Sequence, residues 1–371
     1  MSTEVRAIVV FERTASQSFE GQVTRASLDI IAVLLSSTIN LDSASQATST
    51  SRMPRVLVIG GGGIGIIAAL NLYLGAACHV TMVLRSSHDK IIQEGFVINS
   101  IDHGKIASWK PHASNYTPLL SAIVGELYVV EILTQAVSLT CSTFAACGRL
   151  DSTIRFCSLQ HHNLPDISPT TLEIVQTSIT PAKMTVILLQ NGLIIEKPFL
   201  AHFPQNVVLS GISYTSSHET SHGVIKQTHP DNPIIGVFPN SNISESLQHD
   251  KAQEFVTLYN KGNNTNCRLT KQTGVARSEK LIYNASFNPV CANLNTDTGA
   301  LRRWQMVQGV VRPAMHEIIA VAKAKGIVLG ENIVDDTLRM DEECGSSRPS
   351  MSVDVAKVRQ LLQLHFLGHN G

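Results

Sequence analysis

Aromatic residues are scarce in this chain, at 5% of 371 residues, which removes any case for a surface that stacks nucleic-acid bases. No excess of either charge is present. Lys and Arg number 29, and so do Asp and Glu, so no basic field points to nucleic acid or an anionic membrane. The 7 cysteines are an odd count, with no CxxC pair and no zinc-like spacing. That argues against a disulfide framework and fits a reducing compartment. A long unbroken apolar run is missing too. Leu127 to Cys147 is interrupted by Glu131 and Gln135, and a charge at bilayer depth is costly, so no membrane span is expected. No compact apolar stretch follows a basic start, and Glu4, Glu12 and Glu20 run against a mitochondrial presequence, which is poor in acid.

What is present is core material, with 43% hydrophobic residues in a chain long enough for two domains. The most informative stretch is Arg55 to Arg85. The apolar run Val56, Leu57, Val58, Ile59 leads straight into Gly60, Gly62 and Gly65, spaced as GxGxxG. A helix-like segment and a second apolar strand, Val80 to Leu84, follow. Gly60 permits the tight turn. Gly62 removes a side chain where a pyrophosphate approaches the backbone, and Gly65 lets the helix pack close to the strand. The anion then sits on free N–H groups at the helix start. The plain alternative is a glycine-rich turn without a ligand. Where NAD-selective sites place an acid, this chain has Arg85 followed by Ser86 and Ser87. A guanidinium grips a 2′-phosphate that a carboxylate would repel, which points to NADP(H) rather than NAD(H). The alternative is a solvated arginine at a strand end.

Residues 1–52 lack a sustained core pattern, and their second half is dominated by Ser and Thr. They are expected to be a disordered or spurious extension, with folding beginning at Met53. Residues 53–240 are expected to form a Rossmann-type parallel-sheet domain of strands and helices, with an atypical insert at 113–160 where no strand–helix alternation is visible. Strands are predicted at Phe96 to Asn99, Lys105 to Ser108, Thr185 to Leu189, Val207 to Leu209, Val224 to Gln227 and Ile234 to Val237. From 246 to 371 the pattern is mostly α-helical, with helices over Ser246 to Tyr259, Ser278 to Leu294 and Val311 to Lys325. The fold class is therefore α/β followed by a helical domain, with a cleft between them.

In the second of those helices Lys280, Asn284 and Asn288 stand at i, i+4 and i+8, which puts them on one face. An ammonium and two amides in a row make a poor packing surface but a good polar wall. Lys280 is suited to donate a proton to a carbonyl oxygen as hydride reaches the carbon, and burial would bring its pKa toward the working range. Asn284 and Asn288 are suited to hydrogen-bond substrate hydroxyl or carbonyl groups. A solvated polar stripe is the alternative.

The pieces RVLVIGGGGIG, VLRS, INSIDHG, LLQNGL, KLIYNASFNP, DTGAL, RPAMHEII and RPSMSVD occur in this order. Together they resemble the ketopantoate reductase (2-dehydropantoate 2-reductase) family, and its fungal members in particular. KxxxNxxxNP and the terminal PSMxxD are the most specific pieces. The resemblance implies a Rossmann domain and a helical domain with the active site between them. It implies reduction of ketopantoate to pantoate by NADPH, in pantothenate and coenzyme A synthesis. It also implies roles: Lys280 as general acid, Asn284 and Asn288 as substrate-binding amides, and Asn191 as the asparagine near the nicotinamide and the catalytic lysine. Ser350 matches a serine that contacts substrate. Gly60, Gly62, Gly63, Ile64, Gly65 and Arg85 match the cofactor clamp.

Two departures stand out. His162, in Gln160-His161-His162-Asn163, falls where fungal members carry a cofactor-holding lysine, and a mostly neutral imidazole is a weaker anion partner. These adjacent histidines lack an evident third ligand, and no metal is expected. After PSMxxD the family has a glutamate that supports catalysis. Here Leu362 stands near that position and no Glu follows before Gly371. The odd start, the insert and the divergent end are expected to reflect retained introns or a shifted frame, which transcript sequencing tests. Three functions remain open: an NADPH-dependent ketopantoate reductase, a reductase for another branched 2-keto acid, and a catalytically impaired NADPH-binding homologue. The expected partners are NADPH and a small 2-keto acid, with neither nucleic acid nor membrane. A homodimer is left open. The cytosol is favoured, and a mitochondrial address stays open.

Overall fold

The computed structural model describes residues 53–84, 88–116, 128–131 and 179–356. Expectations for residues 1–52, Arg85, His162 and Leu362 concern positions outside the described residues. Twelve strands follow in chain order: β1 (Arg55–Ile59), β2 (His79–Leu84), β3 (Phe96–Ser100), β4 (Gly104–Trp109), β5 (Ala113–Tyr116), β6 (Tyr128–Glu131), β7 (Thr185–Leu188), β8 (Val207–Ile212), β9 (Ser216–Ser221), β10 (Val224–His229), β11 (Ile234–Phe238) and β12 (Arg268–Thr270). Eight of them form one sheet in the order β12-β11-β8-β7-β6-β1-β2-β5. The pairs from β8 through to β5 are parallel, and β11 joins β8 antiparallel. The remaining four make a second, mixed sheet in the order β4-β3-β10-β9.

The order places the site. From β1 the chain runs to β2 and β5 on one side, then crosses to β6, β7 and β8 on the other. Ile59, the last residue of β1, lies between Val83 and Glu131 in register. Gly60 therefore begins at the carboxyl end of β1, at the topological switch point where open α/β sheets bind ligands. Part of the stretch that shows no alternation in sequence belongs to this sheet, since it contributes β5 and the central strand β6. Those strands are short, and their pattern is lost among flanking Ser and Thr.

Helix Gly63–Leu74 is apolar nearly all round and is buried over most of its length, as expected of a helix covered on several sides. It packs under β9 and β10 of the second sheet. A Cβ built on Gly63 would fall inside the Ser217 carbonyl group and 2.5 Å from the His218 nitrogen. This glycine is thus required for packing.

Asn71, on the same helix, anchors a buried polar network. Its Nδ2 donates to Asp231 Oδ2 at 2.5 Å, and the Tyr259 hydroxyl donates to the same oxygen at 2.6 Å. Burial pushes the Asp231 carboxyl up from 3.8 to about 6, against the pull of the Tyr259 hydrogen bond and with a further push from Asp102. A carboxyl raised in the folded state favours folding only while protonated. Its contribution is complete below 3.8 and is lost as pH rises through about 6. Asp231→Asn keeps an acceptor for both donors and cannot ionise. Urea unfolding across this pH range should show the wild type losing stability on the order of 3 kcal/mol relative to the variant. Parallel pH curves for the two proteins would remove Asp231 from this role.

A second apolar core lies in the helical region, built on Ile282, Phe287, Cys291, Leu301, Val311 and Met315. It unites helix Thr273–Leu294 with Thr298–Arg303, Arg312–Ala324 and Ile333–Glu343. Two differences from the sequence expectation matter. The long helix starts at Thr273 rather than Ser278, with the Thr273 hydroxyl donating to the Val237 carbonyl of β11 at 3.0 Å. That extra turn brings Arg277 into the helix. Helix Ile333–Glu343 was not foreseen, because its acidic sequence buries only Val334, Thr337 and Asp341. No described helix is long and apolar enough to cross a membrane.

Candidate active site

The glycine loop supplies one wall. Gly60 has φ +119°, a left-handed value that glycine adopts without strain, and its N–H donates to the Val83 carbonyl at 3.0 Å. Gly62 is the N-cap residue of helix Gly63–Leu74. No side chain caps that helix, and its first turn holds no acid. The N–H groups around Gly63, Ile64 and Gly65 thus carry the positive end of the helix dipole with no built-in anion.

The second wall is the helix of the polar stripe. Lys280 is half-buried. Its Nζ donates to the Ser213 carbonyl and stands 5.6 Å from the centroid of the Tyr214 ring. Burial, and then the positive charge of Arg277, pull the amine down from 10.5 to about 7. Asn284, one turn on, is half-buried, and Asn288, a further turn on, is buried. The Asn288 Oδ1 has no hydrogen-bond partner among the described residues.

The third wall is the end of β7. Asn191 follows Gln190, and Gly192 turns the chain with φ +120°. Asn191 Oδ1 and Gln190 Nε2 are also buried without partners among the described residues, as are the Ser213 and Ser217 hydroxyls. A buried polar atom left unpaired costs roughly 1–3 kcal/mol. Each such atom is left to pair with an ordered water or a bound polar group.

The contacts join these walls. Gly63 lies against Ser217 of β9, and Ser213 and Tyr214, just before β9, meet Lys280. Arg277, one turn before Lys280, reaches the carbonyls on either side of Asn191. The structure thus brings together the glycine loop, Asn191, Lys280 and the amide stripe. It does not join Ser350 to them through any hydrogen bond among the described residues. Ser350 is exposed, and the neighbouring Ser352 is tied by its hydroxyl to the Cys291 and Thr296 carbonyls. A cavity of about 510 Å³ in the helical region is lined by Arg302, Arg312, Asp335 and Asp341 but by none of the stripe residues. Arg302 pairs with Asp341 there, and Arg312 with Asp335. No described cluster of His, Cys, Asp and Glu could hold a metal ion.

Sequence reasoning missed Arg277, Glu196, Ser213 and Tyr214. The first two carry charges that in a sequence read as surface. The other two act through a backbone carbonyl and a ring face, which leave no motif.

Comparison with known proteins follows the same division. The family model "Ketopantoate reductase PanE/ApbA" matches residues 56–135 and 170–240, and "Ketopantoate reductase PanE/ApbA C terminal" matches residues 275–364. An uncharacterized protein of Saccharomyces cerevisiae is 29% identical over 85% of this chain and 86% of its own length. A 2-dehydropantoate 2-reductase of Nostoc is 22% identical over 82% and 83%. Among solved structures, 2-dehydropantoate 2-reductase from Geobacter metallireducens is 21% identical, with TM-score 0.64 over 82% of this chain and 87% of that one. A ternary structure of D-mandelate dehydrogenase with NADH and anilino(oxo)acetate is 15% identical, with TM-score 0.59 over 80% and 84%. At these identities the structural likenesses speak for the fold.

Proposed function

We propose that this chain, which belongs to the ketopantoate reductase family, is an NADPH-dependent reductase of a 2-keto acid, with ketopantoate as its substrate and Lys280 as its proton donor. The observation that carries the reading is geometric: the Lys280 amine is fixed on the Ser213 carbonyl against the Tyr214 ring, and the helix that bears it also carries the unpaired Asn288 Oδ1. Burial and the Arg277 charge lower its pKa to about 7. A general acid works best when its pKa lies near the operating pH, and an ordinary surface lysine titrates far above it.

The residues fit a nicotinamide dinucleotide. The uncapped helix start after Gly62 suits a pyrophosphate, and the unpaired Asn191 Oδ1 suits an amide donor. When bound, the cofactor supplies the hydride. Lys280, in its ammonium form, gives its proton to the ketone oxygen of the substrate. The unpaired Asn288 Oδ1 accepts from a hydroxyl, a group that ketopantoate carries and simple branched 2-keto acids lack. The preference for NADPH rests on Arg85 in the sequence. The Nostoc relative named as a 2-dehydropantoate 2-reductase supports the substrate class, and the glycine loop at an uncapped helix start supports a dinucleotide cofactor.

Leu362, near the position where the resemblance implies a glutamate, favours a second reading, a slower or inactive relative that still binds the cofactor. An NADPH oxidation assay with ketopantoate and a panel of branched 2-keto acids, repeated with NADH, separates the two. Turnover is expected with NADPH and greatest with ketopantoate. Tight NADPH binding without turnover on any member of the panel would select the second reading.

A further inference from the structure

Arg277 is buried in the contact between the long helix and the sheet, at 7% exposure. Its guanidinium is fully engaged. Nε donates to Ser210 Oγ at 2.6 Å, Nη1 to the Gln190 carbonyl at 2.6 Å and the Gly192 carbonyl at 3.1 Å, and Nη2 to the Leu188 carbonyl at 3.1 Å. Nη2 also pairs with Glu196 Oε1 at 2.8 Å, and the Ser210 hydroxyl donates to that same oxygen at 2.6 Å. Glu196 and Ser210 are themselves buried. Nothing else described ties the residues flanking Asn191 so closely to the helix that carries Lys280.

Stability alone is a poor reason for this arrangement. A buried ion pair often contributes no more than apolar side chains of the same volume. What it does supply is geometry, because a planar fork fixes several acceptors at once. We infer that Arg277 is a positioning residue. Its guanidinium fastens the strand end bearing Asn191 to the helix bearing Lys280, and Glu196 balances its charge so that the ammonium beside it is not repelled further. The inference rests on the reading of Lys280 as the acid.

The electrostatics agree with the geometry. After burial, the positive charge of Arg277 lowers the Lys280 pKa. The amine also faces the Tyr214 ring, and Glu279, next to Lys280 in the helix, acts on the Tyr214 hydroxyl. Arg268 of β12 acts on Tyr214, and Glu196 acts through Arg277.

The test reads Lys280 directly, by competitive acetylation of the full chain with acetic anhydride over a pH series, with Lys280 followed by mass spectrometry. It needs no substrate, so it stands whether or not any 2-keto acid is turned over. Glu196→Gln is nearly isosteric and leaves Arg277 unbalanced, so the Lys280 titration should move to lower pH by about one unit. Arg277→Met should move it to higher pH by about as much. Shifts in opposite directions cannot come from general loosening. Arg277→Lys keeps the charge and loses the fork. In the NADPH oxidation assay it should lower kcat about 10- to 100-fold with KM little changed, while leaving the titration in place.

Shifts of the same sign in the first two variants, or no shift in Glu196→Gln, would overturn the inference. If Arg277→Met does not fold, Glu196→Gln decides alone. Opposite shifts in a protein that turns over no 2-keto acid would support the charge-balancing part of the inference and sink the proposed reaction.

Discussion

Lys280→Ala is expected to lower kcat for 2-keto-acid reduction by about 10²–10⁴-fold, the usual worth of a positioned acid, while the affinity for NADPH stays close to that of the wild type. The two effects separate because Lys280 sits on the helical wall and bonds to Ser213, whereas the pyrophosphate would lie on the glycine loop after β1. Lys280→Arg gives a sharper form of the same prediction. Arginine keeps a positive charge but holds its proton at any working pH. If the lysine acted only by attraction, this variant would retain most of its rate. Because the proposed role is proton donation, it should be nearly as slow as the alanine variant. Steady-state kinetics with NADPH and ketopantoate, together with calorimetric titration of the cofactor, provide both readouts. Wild-type kcat in Lys280→Ala would remove this residue from the chemistry.

The second large effect is expected at Gly63. A Cβ at this position would collide with backbone on both sides of the Ser217–His218 peptide bond. Backbone cannot rotate away as a flexible side chain can. Gly63→Ala should therefore push β9 off the helix start or displace the helix, at a cost of about 1–3 kcal/mol or more. Dinucleotide affinity should fall in parallel, because the displaced N–H groups belong to the proposed anion site. Gly309→Ala serves as the control. A Cβ there meets nothing within 4 Å, so the substitution should be neutral or slightly stabilising. Thermal unfolding of the two variants, with and without NADPH, measures the contrast. Equal midpoints would mean that β9 is not held where the structure places it.

Much of this was legible in the sequence, for reasons that can be named. The β1–loop–helix–β2 unit combines an apolar strand, a glycine spacing that only tight turns require, and a helix with no polar face. Lys280, Asn284 and Asn288 share a face by spacing alone, and the structure keeps them on one helix. In the second sheet, β3, β4 and β10 were legible and β9 was not. Strand β9 reads SSHETS and is half-buried or exposed throughout, so no apolar alternation announces it. It is held by backbone pairing with β10, which leaves no mark in side-chain pattern. Likewise β6 carries only Val129 and Val130 between Tyr128 and Glu131, and its central place comes from its neighbours. Arg277 and Glu196 were invisible for a different reason. A charged residue is nearly always exposed unless paired, and these two partners lie 81 positions apart in the chain. Sequence spacing cannot reveal such a meeting.

The pH dependence of wild-type kcat/KM for the 2-keto acid tests the central claim most directly, because kcat/KM reports the groups of the enzyme before substrate binds. Lys280 must be protonated to donate, and its amine is held near 7. The rate should therefore be steady below that value and fall about tenfold per pH unit well above it. A rate that stays level or climbs through the alkaline range would contradict the assignment of Lys280 as the acid.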